Sequence, residues 1–388
     1  MLPYLAPYLQ SVWGPFRLLG SHLTLICLGA CLSAALTVWL LPRLWHLLPQ
    51  DRGKNFVAGS DRAKGKPTGA GIIFVLVFLF CLALVLPASW KLWCIAACLV
   101  VSMLTGYFDD ASRGSWGECK KGLWDAGICL AVVLILSGGG AMKVWLPLIK
   151  GNLPGGAFLL PAWLYLPLAT ALLWLSINVV NCSDGVDALA GSLTLLALFG
   201  MGAFLYGVLG HVKIANYLLI PHEPEGAYYA IMIFTAVGSL AGYIWHNAGP
   251  SAVMMGDAGS RFLGLLLGIA VLVAGNPFLY LAVATILFIN GGAGLVKLVV
   301  FRLLRKCGYD VRPPLRNIPN PIHPERFASD EEAARQLPLV QKLHRFRCPM
   351  HDHCRKNLSW SDTQVVIRFM LLQAMLMPLL LLVILKLR

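Results

Sequence analysis

The stretch LTLICLGACLSAALTVWLL (23–41) carries no charged residue and no turn punctuation. A helix crossing the hydrocarbon core needs about 20 predominantly apolar residues, and this run supplies that length. It opens like a secretory leader and contains a lipoprotein-like LGAC ending at Cys31. Its apolar character nevertheless continues past that cysteine to Leu41, whereas a leader stops sooner, at small residues. The run reads as a membrane span.

The rest of the chain repeats the pattern. Of its 388 residues, 58% are hydrophobic and only 13% charged, with a mean hydropathy of +0.72. Soluble domains are near half apolar and a quarter charged. Ten spans are expected, at 23–43, 71–88, 90–107, 122–139, 161–181, 187–208, 227–245, 259–275, 277–303 and 363–386. The fold class is an all-α polytopic membrane protein forming a single integral membrane domain, 1–388. Residues 1–20, with Tyr4, Tyr8, Trp13, Phe16 and Arg17, form an interfacial lead-in. The ninth span is long, and NGGAG (290–294) inside it predicts a bend. The segment 146–163, with Pro-Gly-Gly between apolar arms, predicts a short outer hairpin. Most of the 11 cysteines fall inside spans as small apolar fillers, and no disulfide is expected.

Lysine and arginine concentrate in 44–70, 108–121 and the long loop 304–362, while 140–160 and 209–226 are poor in both. The positive-inside rule places the basic loops in the cytoplasm. The net charge of +13 then faces that side, where it serves topology and contact with anionic lipid or attracts an anionic substrate. Charge alone does not choose between these. No internal repeat with matching broken segments points to a secondary transporter.

Acids at a membrane edge are costly and need a reason. GYFDDASRG (106–114) ends the third span with Asp109 beside Asp110; adjacent on a helix, they point about 100° apart and should have different jobs. INVVNCSDGVDALAGS (177–192) brings Asn178, Asn181, Asp184 and Asp187 in steps of three, which places neighbours close together on a helix. Capping by Ser183 and Asp184 explains one acid there, not two acids and two amides. NAGPSAVMMGDAGSRFLG (247–264) sets Asp257 between glycines at a helix start, where backbone N–H groups favour phosphate; an N-cap is the simpler alternative. All three clusters fall on one face. Their convergence fits a divalent-cation site for a phosphorylated substrate, in a cytoplasmic cleft.

These residues carry a resemblance. KPTGAGI (66–72), GYFDD (106–110), NVVNCSDGVDALA (178–190), MGDAGSRFLG (255–264), PMHDH (349–353) and WSDTQVVIRFMLL (360–372) resemble, in order, the polyprenyl-phosphate N-acetylhexosamine-1-phosphate transferase superfamily. PxHxH followed by VVIRF is most similar to its phospho-N-acetylmuramoyl-pentapeptide transferase branch. The resemblance implies transfer of a muramoyl-pentapeptide phosphate from a UDP-linked donor to undecaprenyl phosphate, giving lipid I and UMP. The implied setting is the bacterial inner membrane, with Mg²⁺ as cofactor, the bilayer as a partner, no nucleic acid, and a homodimer.

By matching motif, the resemblance implies catalytic roles for Asp109, Asp110, Asp257 and His351. Asp257 and Asp184 are the implied metal-binding acids. Lys64, Lys66, Thr68, Lys121, Asn178, Asn181, Asp184, Asp187, Asn247 and His353 are implied to bind substrate. The alternatives are another UDP-N-acetylhexosamine transfer and a non-catalytic lipid-binding or transport relative. The chain departs from the family pattern at Ala63 (usually lysine), Met254 (usually phenylalanine) and Asp352 (usually histidine). CPMHDHC (348–354) is not the paired-ligand spacing of a closed zinc site. Beside two phosphates Asp352 would be repelled, so it is expected to point away and meet a basic side chain such as Arg355.

Overall fold

The computed structural model describes residues 1–51, 65–112, 116–312 and 337–386. Its helices run in chain order as α1 Leu2–Leu9, α2 His22–Leu44, α3 Gly71–Val85, α4 Trp90–Ala111 and α5 Glu118–Ser137. After two short strands, β1 Met142–Val144 and β2 Phe158–Leu160, come α6 Ala162–Ser183, α7 Leu189–Phe204, α8 Val212–Tyr217, α9 Gly226–Asn247 and α10 Gly256–Val273. They are followed by α11 Phe278–Val283, α12 Thr285–Lys306, α13 Pro338–Arg345, α14 Met350–Asn357 and α15 Asp362–Lys386. Helices cover all ten expected spans. Eight are long and apolar enough to cross a membrane: α2, α4, α6, α7, α9, α10, α12 and α15. α3 is apolar but shorter, and α5 begins with Glu118, Lys120 and Lys121. The protein is a multi-pass membrane protein.

α9 and α10 form the centre. Their apolar windows are 78% buried, against 28% for α2 and 17% for α15, so the latter two present most of their surface outward. Small residues make the centre tight, as expected where helices associate without a hydrophobic drive between them. A Cβ on Gly71 of α3 would collide with the backbone of Gly259 in α10. One on Gly106 of α4 would collide with the backbone of Asp257. The start of α10 is therefore wedged between α3 and α4, and that wedge sets where Asp257 stands.

The hairpin exists, but its arms differ from those expected. β1 lies ahead of 146–163 and pairs antiparallel with β2, Met142 opposite Leu160. Trp145, just after β1, donates from its backbone N–H to Gly275 (2.9 Å) and from Nε1 to Ala274 (2.7 Å). These carbonyls lie at the C-terminal end of α10, where helix acceptors lack intrahelical partners.

The break in the ninth span lies at Ala284 (φ −127°, ψ 29°), not at NGGAG, which runs inside continuous α12. Gln373 of α15 covers the break: Leu287 N–H donates to its Oε1 (3.2 Å) while its Nε2 donates to Leu193 O (2.6 Å). The glycines of NGGAG serve packing instead of bending, because a Cβ on Gly291 would strike the Val179 carbonyl of α6. The helical series of polar residues in 177–192 also stops early. α6 ends at Ser183, Asp184 is outside helical geometry, and Ala188 is left-handed (φ 63°). Asp184 and Asp187 thus sit on a turn, not on a helix face. All eleven cysteines are free thiols.

If the glycine wedge is the constraint, Gly106→Ala should destabilise by about 1–3 kcal/mol through overpacking. Gly117→Ala, with no heavy atom within 4 Å of its added Cβ, should be near neutral. Thermal unfolding of both variants in detergent checks this, and equal midpoints would contradict it.

Candidate active site

Four helix ends bring the acids together. Asp109 and Asp110 end α4, Lys121 lies in the first turn of α5, Asn181 near the end of α6, and Asp257 in the first turn of α10. Asp109 is buried (6% exposed). Its Oδ1 accepts the Trp116 N–H (2.7 Å), and its Oδ2 pairs with Lys121. Lys121 Nζ also stands 3.4 Å from Asp257 Oδ2. Asn181 Nδ2 donates to Asp257 Oδ1 (2.9 Å) and to Ser260 Oγ (3.0 Å). Beneath, Arg261 reaches Asp257 Oδ2 (3.7 Å) and bonds Asp125 Oδ1 (3.1 Å).

Asp109 and Asp110 do different jobs, as their angular separation predicts. Asp109 anchors Lys121, whereas Asp110 Oδ2 accepts the backbone N–H of Ala258 (3.2 Å). Asp110 thereby caps α10 from a neighbouring helix, satisfying one of the donors a helix start leaves open. The simpler alternative, that Asp257 is itself an N-cap, does not hold: it follows Gly256 inside the first turn. The left-handed Gly256 (φ 71°) brings the chain so close to Asp110 that a Cβ there would meet its carboxylate.

A second group lies along the KPTGAG loop, which hydrogen-bonds 254–255 through Met254 N–H to Pro67 O, Ala70 N–H to Met254 O and Gly71 N–H to Met255 O. Lys66 Nζ donates to Ser251 Oγ (3.0 Å) and is 4.0 Å from Asp187, whose Oδ2 accepts Ser251 N–H (3.3 Å). Thr68 bonds through its backbone N–H to Pro49 O. Lys64, with Arg62 and Ala63, lies outside the described residues.

Two residues expected to bind substrate bond the protein's own backbone instead. Asn247 is buried, accepting Ala188 N–H (2.7 Å) and donating to Val253 O (2.7 Å), so it frames the loop and does not open to a ligand. It also meets the backbone N–H at the start of α7, the capping role weighed as an alternative for Ser183 and Asp184. Asn178 donates back to Trp174 O in its own helix. Asp184 ends α6; the side chain of this segment bonded to Asp257 is Asn181, three residues earlier.

His351 on α14 is buried at 3% exposure. Asn290 Oδ1 accepts both its backbone N–H (2.9 Å) and its Nδ1 (3.1 Å). That places the ring proton on Nδ1 and turns Nε2 toward Gly185, where an added Cβ would strike it. The histidine loop therefore packs on the turn carrying Asp184 and Asp187. His353 stacks on Phe346 at 4.6 Å between centroids, away from that turn. Asp352 pairs along its own helix with Lys356 (3.6 Å) and Arg355 (4.0 Å), the kind of partner expected for it.

Sequence reasoning missed Asp125, Arg261 and Asn290. The first two carried a readable signal: each lies four residues after an opposite charge, Lys121 and Asp257, inside an apolar run. Asn290 had none beyond being polar among glycines.

Among the described residues no three His, Cys, Asp or Glu side chains close around an ion. The donor set still suits a small hard cation, which takes one or two carboxylates and fills its shell with water and phosphate oxygens. Four carboxylates (Asp109, Asp110, Asp125, Asp257) face two fixed cations (Lys121, Arg261), so the group formally lacks positive charge.

Residues 92–275 match the family model described as glycosyl transferase family 4. Over 384 residues the chain is 39% identical to the phospho-N-acetylmuramoyl-pentapeptide-transferase of Treponema pallidum (strain Nichols), covering 98% of this chain and 95% of that protein. The chain belongs to the phospho-N-acetylmuramoyl-pentapeptide-transferase family. A member from Gemmatimonas aurantiaca is 27% identical over 91% of this chain and 89% of its own length. The matched span in the glycosyl transferase family 4 model takes in Asp109, Lys121, Asn181 and Asp257, the four residues that meet in space.

Burial pushes the His351 imidazole down from 6.5 to about 4. Between those values the unfolded chain binds the extra proton and the folded one does not. Stability from this group is therefore full above pH 6.5 and is lost as pH falls toward 4, by about 3 kcal/mol in all. The midpoint of the parent should drop more steeply from pH 6.5 to 4.5 than that of His351→Gln; parallel curves would show that the imidazole is not buried.

Proposed function

We propose that this protein transfers phospho-N-acetylmuramoyl-pentapeptide from its UDP-linked donor to undecaprenyl phosphate, forming lipid I and releasing UMP. The observation that carries this reading is the end-to-end match to relatives of that name. The spatial convergence of the acids in the matched motifs supports it.

In the reaction an oxygen of the lipid phosphate attacks the β-phosphorus of the donor. The bond from that phosphorus to the bridging oxygen breaks, and UMP leaves with the electron pair. Reactants and leaving group are all anionic, so catalysis is mainly positioning and charge stabilisation. Lys121, half-buried between Asp109 and Asp257, can turn to a phosphate without leaving the cluster. Asp110, whose carboxylate is met by the backbone of Asp257 and Ala258 at the start of α10, is the member of the pair suited to accept a proton from the lipid phosphate. Asp109 holds Lys121. Lys66 with Asp187 and Ser251 lines the donor side with Thr68, and His351 closes over the Asp184–Asp187 turn.

Asp257 and Asp184 would hold Mg²⁺, with water and phosphate oxygens completing its shell, and the ion when bound would offset the charge of the diphosphate. The basic loops 44–70, 108–121 and 304–362 put this face in the cytoplasm of the bacterial inner membrane, where lipid phosphate lies at the level of these helix ends. The chain acts as one integral domain, and a homodimer is the proposed assembly.

Purified protein given undecaprenyl phosphate and Mg²⁺ should release UMP from UDP-muramoyl-pentapeptide and not from UDP-N-acetylglucosamine. The opposite preference would assign another sugar pathway. Asp257→Asn should lower turnover at least about a hundredfold; unchanged function in that variant would point to a non-catalytic relative.

A further inference from the structure

Four charged side chains on α5 and α10 make a ladder of alternating sign. Lys121 and Asp125 are four residues apart on α5, as are Asp257 and Arg261 on α10. The upper rung joins Lys121 to Asp257 (3.4 Å) and the lower joins Arg261 to Asp125 (3.1 Å). Matching offsets on both helices mean that they run in the same direction, one rung a helical turn deeper than the other. Arg261 also spans the rungs, with Nη1 on Asp125 and Nη2 3.7 Å from Asp257 Oδ2.

The rungs differ in burial. Lys121 is 27% exposed at its side chain, whereas Arg261 and Asp125 are 3% and 4% exposed. A buried ion pair gives little net stability, because desolvation offsets the attraction, and an apolar pair of similar volume often serves as well. Stability alone does not explain this pair. Geometry does: if Lys121 swings to an incoming phosphate, Asp257 loses its upper partner. Asn181 still holds Oδ1 from α6, and among the described residues Arg261 is the cation that remains on Oδ2.

We infer that Arg261, held in place by Asp125, is the positioning residue that fixes the Asp257 carboxylate from the membrane side, leaving Lys121 to serve the substrate. The planar guanidinium suits this because one fork can address two carboxylates at fixed angles; an ammonium addresses them as a point charge. The inference rests on the proposed role of Asp257 at the reacting phosphates.

The test compares the parent, Arg261→Lys, and the double variant Asp125→Leu/Arg261→Met. For each, the unfolding midpoint is measured in detergent without added metal, and kcat and donor KM with Mg²⁺. The double variant should keep a midpoint within a few degrees of the parent, as a neutral replacement of a buried pair does. Its kcat should fall about ten- to a hundredfold, with donor KM within about twofold, since misplacing a reacting group by about 1 Å has that effect. Arg261→Lys retains the charge and should show the same split to a smaller degree, which keeps the test decisive if the double variant does not fold. Parental kcat in either folded variant, or a raised KM with parental kcat, overturns the inference. Absence of UMP release by the parent itself would instead overturn the proposed function and take the inference with it.

Discussion

The ammonium of Lys121 lies between two carboxylates that belong to different helices, and the site is organised around that contact. Asp109 is buried at the end of α4, and Asp257 stands at the start of α10. Lys121 meets both, which holds the ends of α4 and α10 within one side-chain length of the start of α5. The glycines at 71, 106, 256 and 259 allow that approach. Asp110 then completes it by capping α10, so one acid of the pair is electrostatic and the other is structural in the unliganded protein.

The spans were legible because each apolar run is long, and the acids because a carboxylate at the end of such a run has few innocent explanations. Asp109, Asp110 and Asp257 stood out for that reason, and Asn181 as an amide in an apolar run; the structure brings the four together. What the sequence did not reveal were relationships between distant segments. Nothing near Asn247 says that its amide caps α7 across the bundle, and nothing in NGGAG distinguishes a bend from a close helix contact. The break moved to Ala284 because Gln373, about ninety residues later in the chain, supplies the acceptor that a broken helix needs. Asp125 and Arg261 differ: neither stands out alone, and the pair explains both.

The histidine loop shows how a departure from the family pattern can be absorbed. A carboxylate at 352 brings a negative charge next to His351, yet two cations on the same short helix face it. His351 meanwhile is held by Asn290 at both its backbone and its ring. The loop's position is thus set from α12, and what varies at 352 is kept on the other side of the helix.

α10 is tied at both ends. Its first turn is wedged by α3 and α4, and its last carbonyls are bound by Trp145 beside the hairpin. A helix of this length is about 27 Å long and stiff along its axis. It behaves as a strut whose footing at the hairpin lies one helix length away from Asp257. The height of Asp257 is therefore gauged from the opposite end of the bundle, and any ligand or bilayer stress that displaced the hairpin would be felt at the carboxylate cluster as a change in height.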